Sequence, residues 1–226
     1  MTNRPGLAQR GDVIEFGTYP QTADGNDSSP IQWRVLETSP DVVFVLSEFI
    51  IDCKRYHNKF EETTWRDSDI RKWLNTELYR AAFNTAEMDA IKLTRCSDNG
   101  EGSPDTEDRI FLLSVAEVSA LTAVKDDGGA VIRRTVGTNF AKAPKPDGCR
   151  LYVYDKGVQA DYRAVNGLKL GCSWWWTRTQ LQIANGRSSR AAFIGARSNV
   201  KSYGRVDIRH YGVRPAMKLD LQVLAS

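Results

Sequence analysis

Apolar and polar residues alternate over the first 50 positions of the chain in patterns that predict short β-strands. Residues 11–21 form an apolar run that ends in a proline turn, and residues 31–37 alternate as a half-buried strand does. Residues 42–51 are almost all apolar, which is typical of a buried strand. Because a short turn containing Pro40 and Asp41 separates the last two runs, we predict that they pair as an antiparallel hairpin.

The pattern then changes to helical spacing. In residues 68–83 apolar side chains recur every three or four positions, which predicts an amphipathic helix. Thr64 or Asp67 is the expected N-cap, because either side chain can accept hydrogen bonds from the free N–H groups of a first helical turn. The periodic apolar residues are Ile70, Trp73, Leu74, Leu78 and Phe83.

Two shorter helices are predicted further along. Thr85 is the expected cap of the first, with Glu87 in its first turn, where a carboxylate interacts favourably with the helix dipole. Residues 110–114 predict a short strand. Ser114 and Glu117 then have the spacing of a capping box, which predicts a helix starting at this point.

The order of elements predicts an α+β domain: strands come first, then two or three helices, then several short antiparallel strands. A chain of 226 residues suits one large domain or two small ones. The loops rich in Asp and Gly separate elements rather than two apolar cores, and no sequence repeat is present. We therefore predict a single domain over residues 1–226.

Composition and charge exclude several functions. The net charge of +3 is too small to indicate nucleic-acid binding, and no run approaches the roughly 20 apolar residues that a membrane span needs. The chain contains no Gly-x-x-x-x-Gly-Lys motif and no Gly-x-Gly-x-x-Gly motif after a strand, the two glycine-rich patterns that bind phosphate groups. The chain has two histidines and no Cys-x-x-Cys pair, so we predict no obligatory metal and no cofactor.

The cysteines leave two questions open. The wide spacing of the cysteines and the lack of an apolar leader favour reduced, structural thiols, and a disulfide such as Cys149–Cys172 is the alternative. Cys53 lies four residues before His57, so a nucleophile and base are conceivable, although a buried thiol and a surface imidazole explain the same residues. The four cysteines are Cys53, Cys96, Cys149 and Cys172.

The last third of the chain combines a rigid frame with an unusual interior. One end contains three consecutive tryptophans, Trp174, Trp175 and Trp176. Exposing all three large rings to water would cost much free energy, so one or two should be buried in the core. At the other end Val213, Pro215 and Met217 should do the same, and Arg214 between them should pair with a buried carboxylate or with carbonyl groups. Residues 177–211 between the two ends are rich in Arg, Ser, Asn, Gly and Tyr.

These residue types are those of adaptable recognition surfaces, because Tyr supplies rigid contact area and Ser, Asn and Arg supply hydrogen bonds. The excess of Arg favours an acidic or carboxylate-bearing partner. The alternative is a solvated strand edge whose polar residues merely face water. The candidate ligand-binding residues are Arg178, Gln180, Gln182, Asn185, Arg187, Ser188, Arg190, Arg197, Asn199, Tyr203, Arg205, Asp207, Arg209 and His210.

Several segments in the same order resemble a bacterial and phage domain family of unassigned function with a C-type-lectin-like fold. The segment TWRDSDIRKWLN, the segment DRIFLLSVAE and the ending YGVRPA carry most of the resemblance. Where such proteins commonly read Trp-Trp-Leu-Arg, this chain has Thr177, a modest departure. The matching pieces are residues 11–19, 31–36, 64–75, 82–91, 108–117, 174–179 and 211–216.

Domains of this fold also carry the hypervariable segments of diversity-generating retroelements, in which the adenines of a template are randomised. Template codons AAC and AAT then give codons that cannot encode Glu, Lys, Gln, Met or Trp. From Ile183 to Tyr211 the chain contains only Lys201 among these five types. The shortage of these five residue types is what a variable protein of such a system would show. The alternative is that the shortage arose by chance.

The resemblance implies a ligand-binding module whose segment 177–211 contacts a protein or another macromolecule, with nucleic acid disfavoured. It implies a bacterial or phage protein, and it allows a homo-oligomer. The lack of a recognisable signal peptide suggests a cytoplasmic chain, a part of a phage particle or a protein exported by another route. The alternative is an enzyme on the same fold, an oxidase resembling formylglycine-generating enzymes or a hydrolase. Those oxidases use closely spaced cysteines near the C-terminus, whereas the last cysteine here is Cys172.

Overall fold

A computed structural model describes residues 8–121, 132–153, 171–181 and 190–224. The strands are β1 (Val13–Tyr19), β2 (Ser29–Thr38), β3 (Val42–Ser47), β4 (Asp52–Cys53), β5 (Thr94–Cys96), β6 (Thr106–Asp108), β7 (Trp175–Leu181), β8 (Arg190–Ile194), β9 (Val200–Arg205), β10 (Gly212–Val213) and β11 (Ala216–Asp220). The helices are α1 (Asp69–Trp73), continued by a π-helical turn (Leu74–Leu78) and α2 (Tyr79–Ala82), then α3 (Thr85–Ala90), α4 (Val115–Leu121), α5 (Asn139–Lys142) and α6 (Leu221–Leu224).

The first sheet has four antiparallel strands in the order β1-β2-β3-β11. The predicted hairpin of the second and third strands is confirmed by their antiparallel pairing. Trp33 is fully buried at the centre of this sheet, and its indole N–H donates to the Phe16 carbonyl over 2.7 Å. A buried indole keeps its donor satisfied in this way while its ring fills the core.

The predicted helices exist, but two of their caps lie elsewhere. Ser68, and not Thr64 or Asp67, caps α1, because its hydroxyl accepts from the Arg71 N–H. Asn84, and not Thr85, caps α3 in a reciprocal capping box with Glu87. In each case the residue one position from the predicted cap has the extended backbone that an N-cap requires.

The capping box at the start of α4 is confirmed. The Glu117 N–H donates to the Ser114 hydroxyl over 3.1 Å, and the Ser114 N–H donates to the Glu117 carboxylate over 2.9 Å. The strand predicted for residues 110–114 reduces to a single bridge between Phe111 and Ala216. Phe111 and its neighbours are still buried, so their apolar character reflects core packing rather than a strand.

The second sheet has five strands in the order β4-β10-β7-β8-β9, which leaves β9 at one edge. Strands β7, β8 and β9 form an antiparallel meander, whereas β10 pairs in parallel with β7. Residues 190–205 therefore occupy the outer half of this sheet. Within the described residues no strand pairs with the outer edge of β9, so this edge faces solvent.

The segment from β10 to β11 passes from the second sheet to the first. Arg214 lies at this junction, fully buried, with its guanidinium 5.2 Å from the Trp175 ring. It donates to the carbonyl groups of Ser47, Glu48 and Ile132. The prediction that Arg214 serves the framework is confirmed, with carbonyl groups as its partners.

Buried residues of both sheets and of the helices form one large apolar cluster in the described part of the chain. Trp175, Trp176, Val213 and Met217 have no exposed surface, as predicted for the frame. The architecture is an α+β arrangement of curled, mainly antiparallel sheets with short helices. Among the helices that the structure describes, none is long and apolar enough to cross a membrane.

Candidate functional site

The structure divides the predicted ligand-binding residues into buried and exposed groups. Gln182, Asn185, Arg187 and Ser188 lie outside the described residues. The exposed group is found on β9 and the two turns that flank it. Its members, which we call the display surface, are Arg197, Asn199, Tyr203, Arg205, Arg209 and His210.

Arg178 is not part of this surface. Only 1% of the residue is exposed, and its guanidinium reaches into the core. It donates to the Glu117 carboxylate through two nitrogens, to the Asn99 side chain, and to the carbonyl groups of Ser97 and Leu112. Because every N–H group is used inside the protein, Arg178 links β7 to the start of α4 and has no donor left for a ligand.

Gln180 is also a framework residue, because it is buried beneath the loop that follows β5. Its backbone N–H donates to the Asn99 carbonyl over 2.9 Å. Gly100 packs so closely that a Cβ there would lie 2.2 Å from the Gln180 carbonyl oxygen. The first part of the predicted segment, Thr177 to Gln180, thus belongs to the scaffold.

Arg205 is an exposed residue of β9 that packs on one of the two most exposed aromatic side chains of the described residues. Its guanidinium is 4.2 Å from the centroid of the Phe60 ring, and two of its nitrogens contact the Asp207 carboxylate at 2.8 and 3.1 Å. Tyr203 is two positions earlier on β9. Tyr203 is 57% exposed and Phe60 is 49% exposed.

Phe60 is the exposed neighbour of Arg205 that the sequence analysis missed. It lies outside the C-terminal segment, in the polar stretch HNKFEET between β4 and α1. The His57 N–H donates to the Val206 carbonyl over 2.9 Å, which brings this stretch beside the end of β9. A large aromatic residue isolated among polar neighbours is the only indication that the sequence contains.

A rigid aromatic cluster supports the display surface from below. Phe193 of β8 contacts Tyr203 edge-on at 5.4 Å and stacks on Tyr211 at 4.3 Å between ring centroids. Trp176 packs against both Phe193 and Tyr211. Gly204 allows this packing, because a Cβ there would lie 2.7 Å from the Trp176 ring. The ring of the exposed Tyr203 is therefore held in place by packed aromatic side chains.

The other end of the display surface is formed by Arg209 and His210. Arg209 lies against Gly148, where an added Cβ would approach its guanidinium to 2.8 Å. His210 Nδ1 is 3.1 Å from the Arg150 carbonyl oxygen. Within the described residues Arg209 makes no ion pair, so its charge faces solvent.

Half-buried residues complete the surface. Arg190 donates to the Tyr203 carbonyl over 2.8 Å, and so fixes the backbone of β9 from β8. Asp207 is the only carboxylate among the candidate residues, and Arg205 already engages it. Arg197, Lys201 and Arg209 add further positive charge. The described face is thus basic with exposed aromatic rings.

The sequence-based candidates for catalysis do not meet. The Cys53 thiol is 3.5 Å from the Arg209 carbonyl oxygen, whereas the His57 ring lies between Asp69, at 2.9 Å, and Glu61, at 3.2 Å. A Cys53–His57 nucleophile pair therefore has no support. No group of three or more His, Cys, Asp or Glu side chains suited to a metal ion occurs in the described part of the chain.

The disulfide between Cys149 and Cys172, considered above, is not formed. All four cysteines are buried and carry free thiols. Cys172 packs with Val136 and Ala196, whereas Cys149 belongs to the main apolar cluster.

Comparison with known proteins gives one match. A family model described as Domain of unknown function (DUF6273) matches residues 40–221. The match begins in the turn before β3 and ends at the first residue of α6, so it includes the whole display surface and Phe60. No curated protein and no solved structure matches the chain.

Proposed function

The chain belongs to the DUF6273 family, and we propose that it is a ligand-recognition module with a C-type-lectin-like scaffold. The ligand-contacting part is the display surface together with Phe60. The observation that carries the proposal is a pair of contacts on this face. Arg205 packs on the exposed Phe60 ring, and the exposed Tyr203, two positions earlier on β9, packs on the buried Phe193. The lectin-like scaffold is part of the same proposal and rests on the resemblance of the sequence segments.

This arrangement has the properties of a binding hot spot. Tyr and Arg are the residue types enriched at the energetic centres of interfaces, and exposed aromatic rings gain free energy when a partner buries them. The packing of Phe193 against Tyr203 and the Arg190 bond to its carbonyl reduce the conformational entropy lost on binding. A preformed surface of this kind suits recognition of another macromolecule.

The charge distribution supports an acidic protein as the partner. The display surface contains three arginines, and Asp207, the one carboxylate among the candidate residues, is already paired with Arg205. Arginine binds carboxylates through two parallel hydrogen bonds, which gives direction as well as attraction. We therefore propose that carboxylate side chains of a partner protein contact Arg209 and Arg205.

The more specific proposal is that the chain is the variable protein of a diversity-generating retroelement. Three exposed residues of the display surface, Asn199, Tyr203 and His210, have codons with adenine at the second position. The buried Ala191, Gly204 and Val206 have codons without adenine in the first two positions. A template with adenines at the exposed codons would therefore vary these contacts and keep these three support residues.

The DNA around the gene tests the retroelement proposal directly. We expect a near-copy of the stretch encoding residues 177–211, next to a reverse transcriptase gene. The copy should have adenines at the codons for Tyr203, Arg205 and Arg209, and should match the gene at those for Phe193 and Gly204. Absence of such a copy would refute the retroelement proposal and leave ligand recognition to be tested by itself.

Ligand recognition is tested with a random peptide library displayed on phage and selected on the purified chain. We expect enriched peptides to be rich in Asp and Glu and to lose binding to the Arg205→Ala variant. The matched control is Arg66→Ala, which removes an exposed arginine outside the display surface. Equal binding to both variants, or enrichment of peptides without acidic residues, would contradict the proposal.

A further inference from the structure

A cleft on the first sheet has a shape and chemistry that the proposed function does not use. It has a volume of about 510 Å³ and lies between this sheet and the segment that leads into β5. None of its lining residues belongs to the display surface or to the other candidate ligand-binding residues. The volume lies within the roughly 300–1,000 Å³ that is common for small-molecule sites.

Strand pairing brings residues of three strands to one face of the first sheet. Phe44 of β3 lies directly opposite Glu37 of β2 on one side and Lys218 of β11 on the other. Directly paired residues of antiparallel strands point to the same face, so the three side chains form a row across the sheet. The Lys92 N–H donates to the Lys218 carbonyl over 2.9 Å, which holds the segment 92–95 beside β11 as the second wall of the cleft.

Part of the cleft is apolar. The Phe44 ring is 5% exposed and packs on Phe111 with 5.9 Å between ring centroids, so it forms a packed floor. Val42, two positions earlier on β3, is half-buried and also lines the cleft. Leu93 on the second wall is 56% exposed, more than any other large aliphatic side chain that the structure describes. A ligand that covers Leu93 would gain the free energy of removing this apolar surface from water.

The charge of the cleft is mainly positive. Three of the four charged residues that line it are basic, and they are Lys92, Arg95 and Lys218. Two of them have partners outside the lining, because Lys92 pairs with Asp220 over 2.6 Å and Arg95 pairs with Asp105 over 2.8 Å. Lys218 makes no ion pair with any described residue, and its ammonium lies 5.3 Å from the centroid of the Phe44 ring. A free positive charge therefore lies next to the apolar floor.

We propose that this cleft binds a small anionic amphiphile, a carboxylate attached to a short hydrocarbon chain. The carboxylate pairs with Lys218, and the chain lies over Phe44 and against Leu93. A cationic amphiphile would meet three basic side chains, and a carboxylate without a chain would leave Leu93 exposed. The inference does not depend on the proposed recognition of a protein, because the cleft and the display surface share no residue.

Glu37 fixes the orientation of the ligand. It is the one carboxylate of the lining and lies across Phe44 from Lys218. Glu37 makes no ion pair with any described residue, so its charge repels a second carboxylate at its end of the row. The headgroup of the ligand is thus held at the Lys218 end, and removal of the Glu37 charge should strengthen binding.

Titration of sodium octanoate into the isotopically labelled protein, followed by NMR, tests the proposal. We expect saturable shifts of the backbone amide signals of Leu93 and Lys218. Two comparison compounds separate the halves of the ligand: acetate has the headgroup alone, and octylammonium has the same chain with the opposite charge. Both should bind at least roughly 10-fold more weakly than octanoate.

Single substitutions test the assigned contacts. Lys218→Met keeps an unbranched side chain without the charge, and should weaken octanoate binding roughly 5-fold. Leu93→Ser should weaken it by a similar factor, because less apolar surface is covered. Glu37→Gln should instead strengthen binding about 2-fold. The matched control is Lys72→Met, which removes an exposed lysine outside the cleft and should leave the affinity unchanged.

Three results would overturn the proposal. The first is the absence of saturable shifts with octanoate. The second is equal affinity for octanoate and octylammonium, which would reveal an apolar patch without charge selection. The third is a set of shifts confined to residues 197–210, which would place octanoate on the display surface. The comparison of the three compounds on the wild-type chain decides even if one variant fails to fold.

Discussion

Two arginines on or beside β7 are buried and two arginines on or just after β9 are exposed, although all four side chains are chemically identical. Arg178 and Arg214 are almost entirely buried and donate to carbonyl groups and a carboxylate of the protein itself. Arg205 and Arg209 lie on the surface, where Arg205 packs on Phe60 and Arg209 faces solvent. The comparison shows that residue type alone does not distinguish a scaffold residue from a contact residue.

The difference follows from where each strand lies in the sheet. Strand β7 has neighbours on both sides and covers the core, so a charged side chain there must be fully paired. Strand β9 lies at the sheet edge, where water can solvate a guanidinium at no cost. A ligand that displaces this water gains contacts, whereas a ligand at Arg178 would have to break five internal hydrogen bonds first.

The largest effect is expected from Arg178→Met. This change leaves the Glu117 carboxylate with the Ser114 N–H alone, and it deprives the Asn99 side chain and two carbonyl groups of this donor, so the free energy of unfolding should fall by about 3–5 kcal/mol. Urea denaturation followed by circular dichroism measures the loss. Arg209→Ala, the surface control, should stay within about 0.5 kcal/mol of the wild type. Similar losses of unfolding free energy in both variants would contradict the distinction between buried scaffold arginines and surface arginines.

Gly204→Ala should have the next largest effect. The new Cβ would lie 2.7 Å from the Trp176 ring and 2.8 Å from the Ala191 carbonyl oxygen, so β9 must move away from its support. We expect a loss of about 1–3 kcal/mol in unfolding free energy. Ser202→Ala, at an exposed position of the same strand, should cost little. A Gly204→Ala variant as stable as the wild type would show that the Trp176 ring and its neighbours can shift at little cost in free energy.

Tyr203→Ala should weaken binding with little effect on stability. Loss of an exposed aromatic ring at the centre of the display surface should lower affinity for a selected acidic peptide roughly 10-fold. Isothermal titration measures this change, and thermal unfolding provides the control. Equal affinity of variant and wild type would place the contact residues elsewhere on the surface.

The smallest effect concerns alkaline pH and Tyr211, in the supporting cluster. Burial raises the pKa of Tyr211 from its usual 10 to about 12. The unfolded chain therefore ionises first, and the stability that the neutral phenol contributes is present below pH 10 and is lost as pH rises towards 12. Unfolding free energies at pH 9 and pH 11 should fall further in the wild type than in Tyr211→Phe. A parallel fall would show that the phenol is solvated.

Prediction from the sequence was most successful where periodicity and burial coincide. The hairpin of β2 and β3, the helix that begins at Asp69 and the capping box of Ser114 and Glu117 follow from local patterns and are present. Caps at Asp67 and Thr85 were wrong by one position, and Thr64 lies four positions before the cap at Ser68. Neighbouring Ser, Thr, Asn and Asp residues are all suitable caps, so the path of the backbone decides between them.

The candidate site was predicted only in outline. The sequence indicated that the polar interior of the last third is held by an apolar frame, and the exposed Tyr203, Arg205 and Arg209 fit that outline. Arg178 and Gln180 were included because they share its composition, and both proved to be buried. Phe60 could not be found, because its proximity to β9 depends on a contact between segments distant in the chain.

The sequence by itself determined the α+β class, the order of strands and helices, and the buried tryptophans of the frame. These features depend on local periodicity and on the free energy of burying apolar surface, both of which can be estimated from the residues. Only the tertiary structure decided which arginines face solvent and where Phe60 joins the display surface. Each of these depends on strand pairing between distant segments, and the sequence pattern of one segment contains no information about its partner.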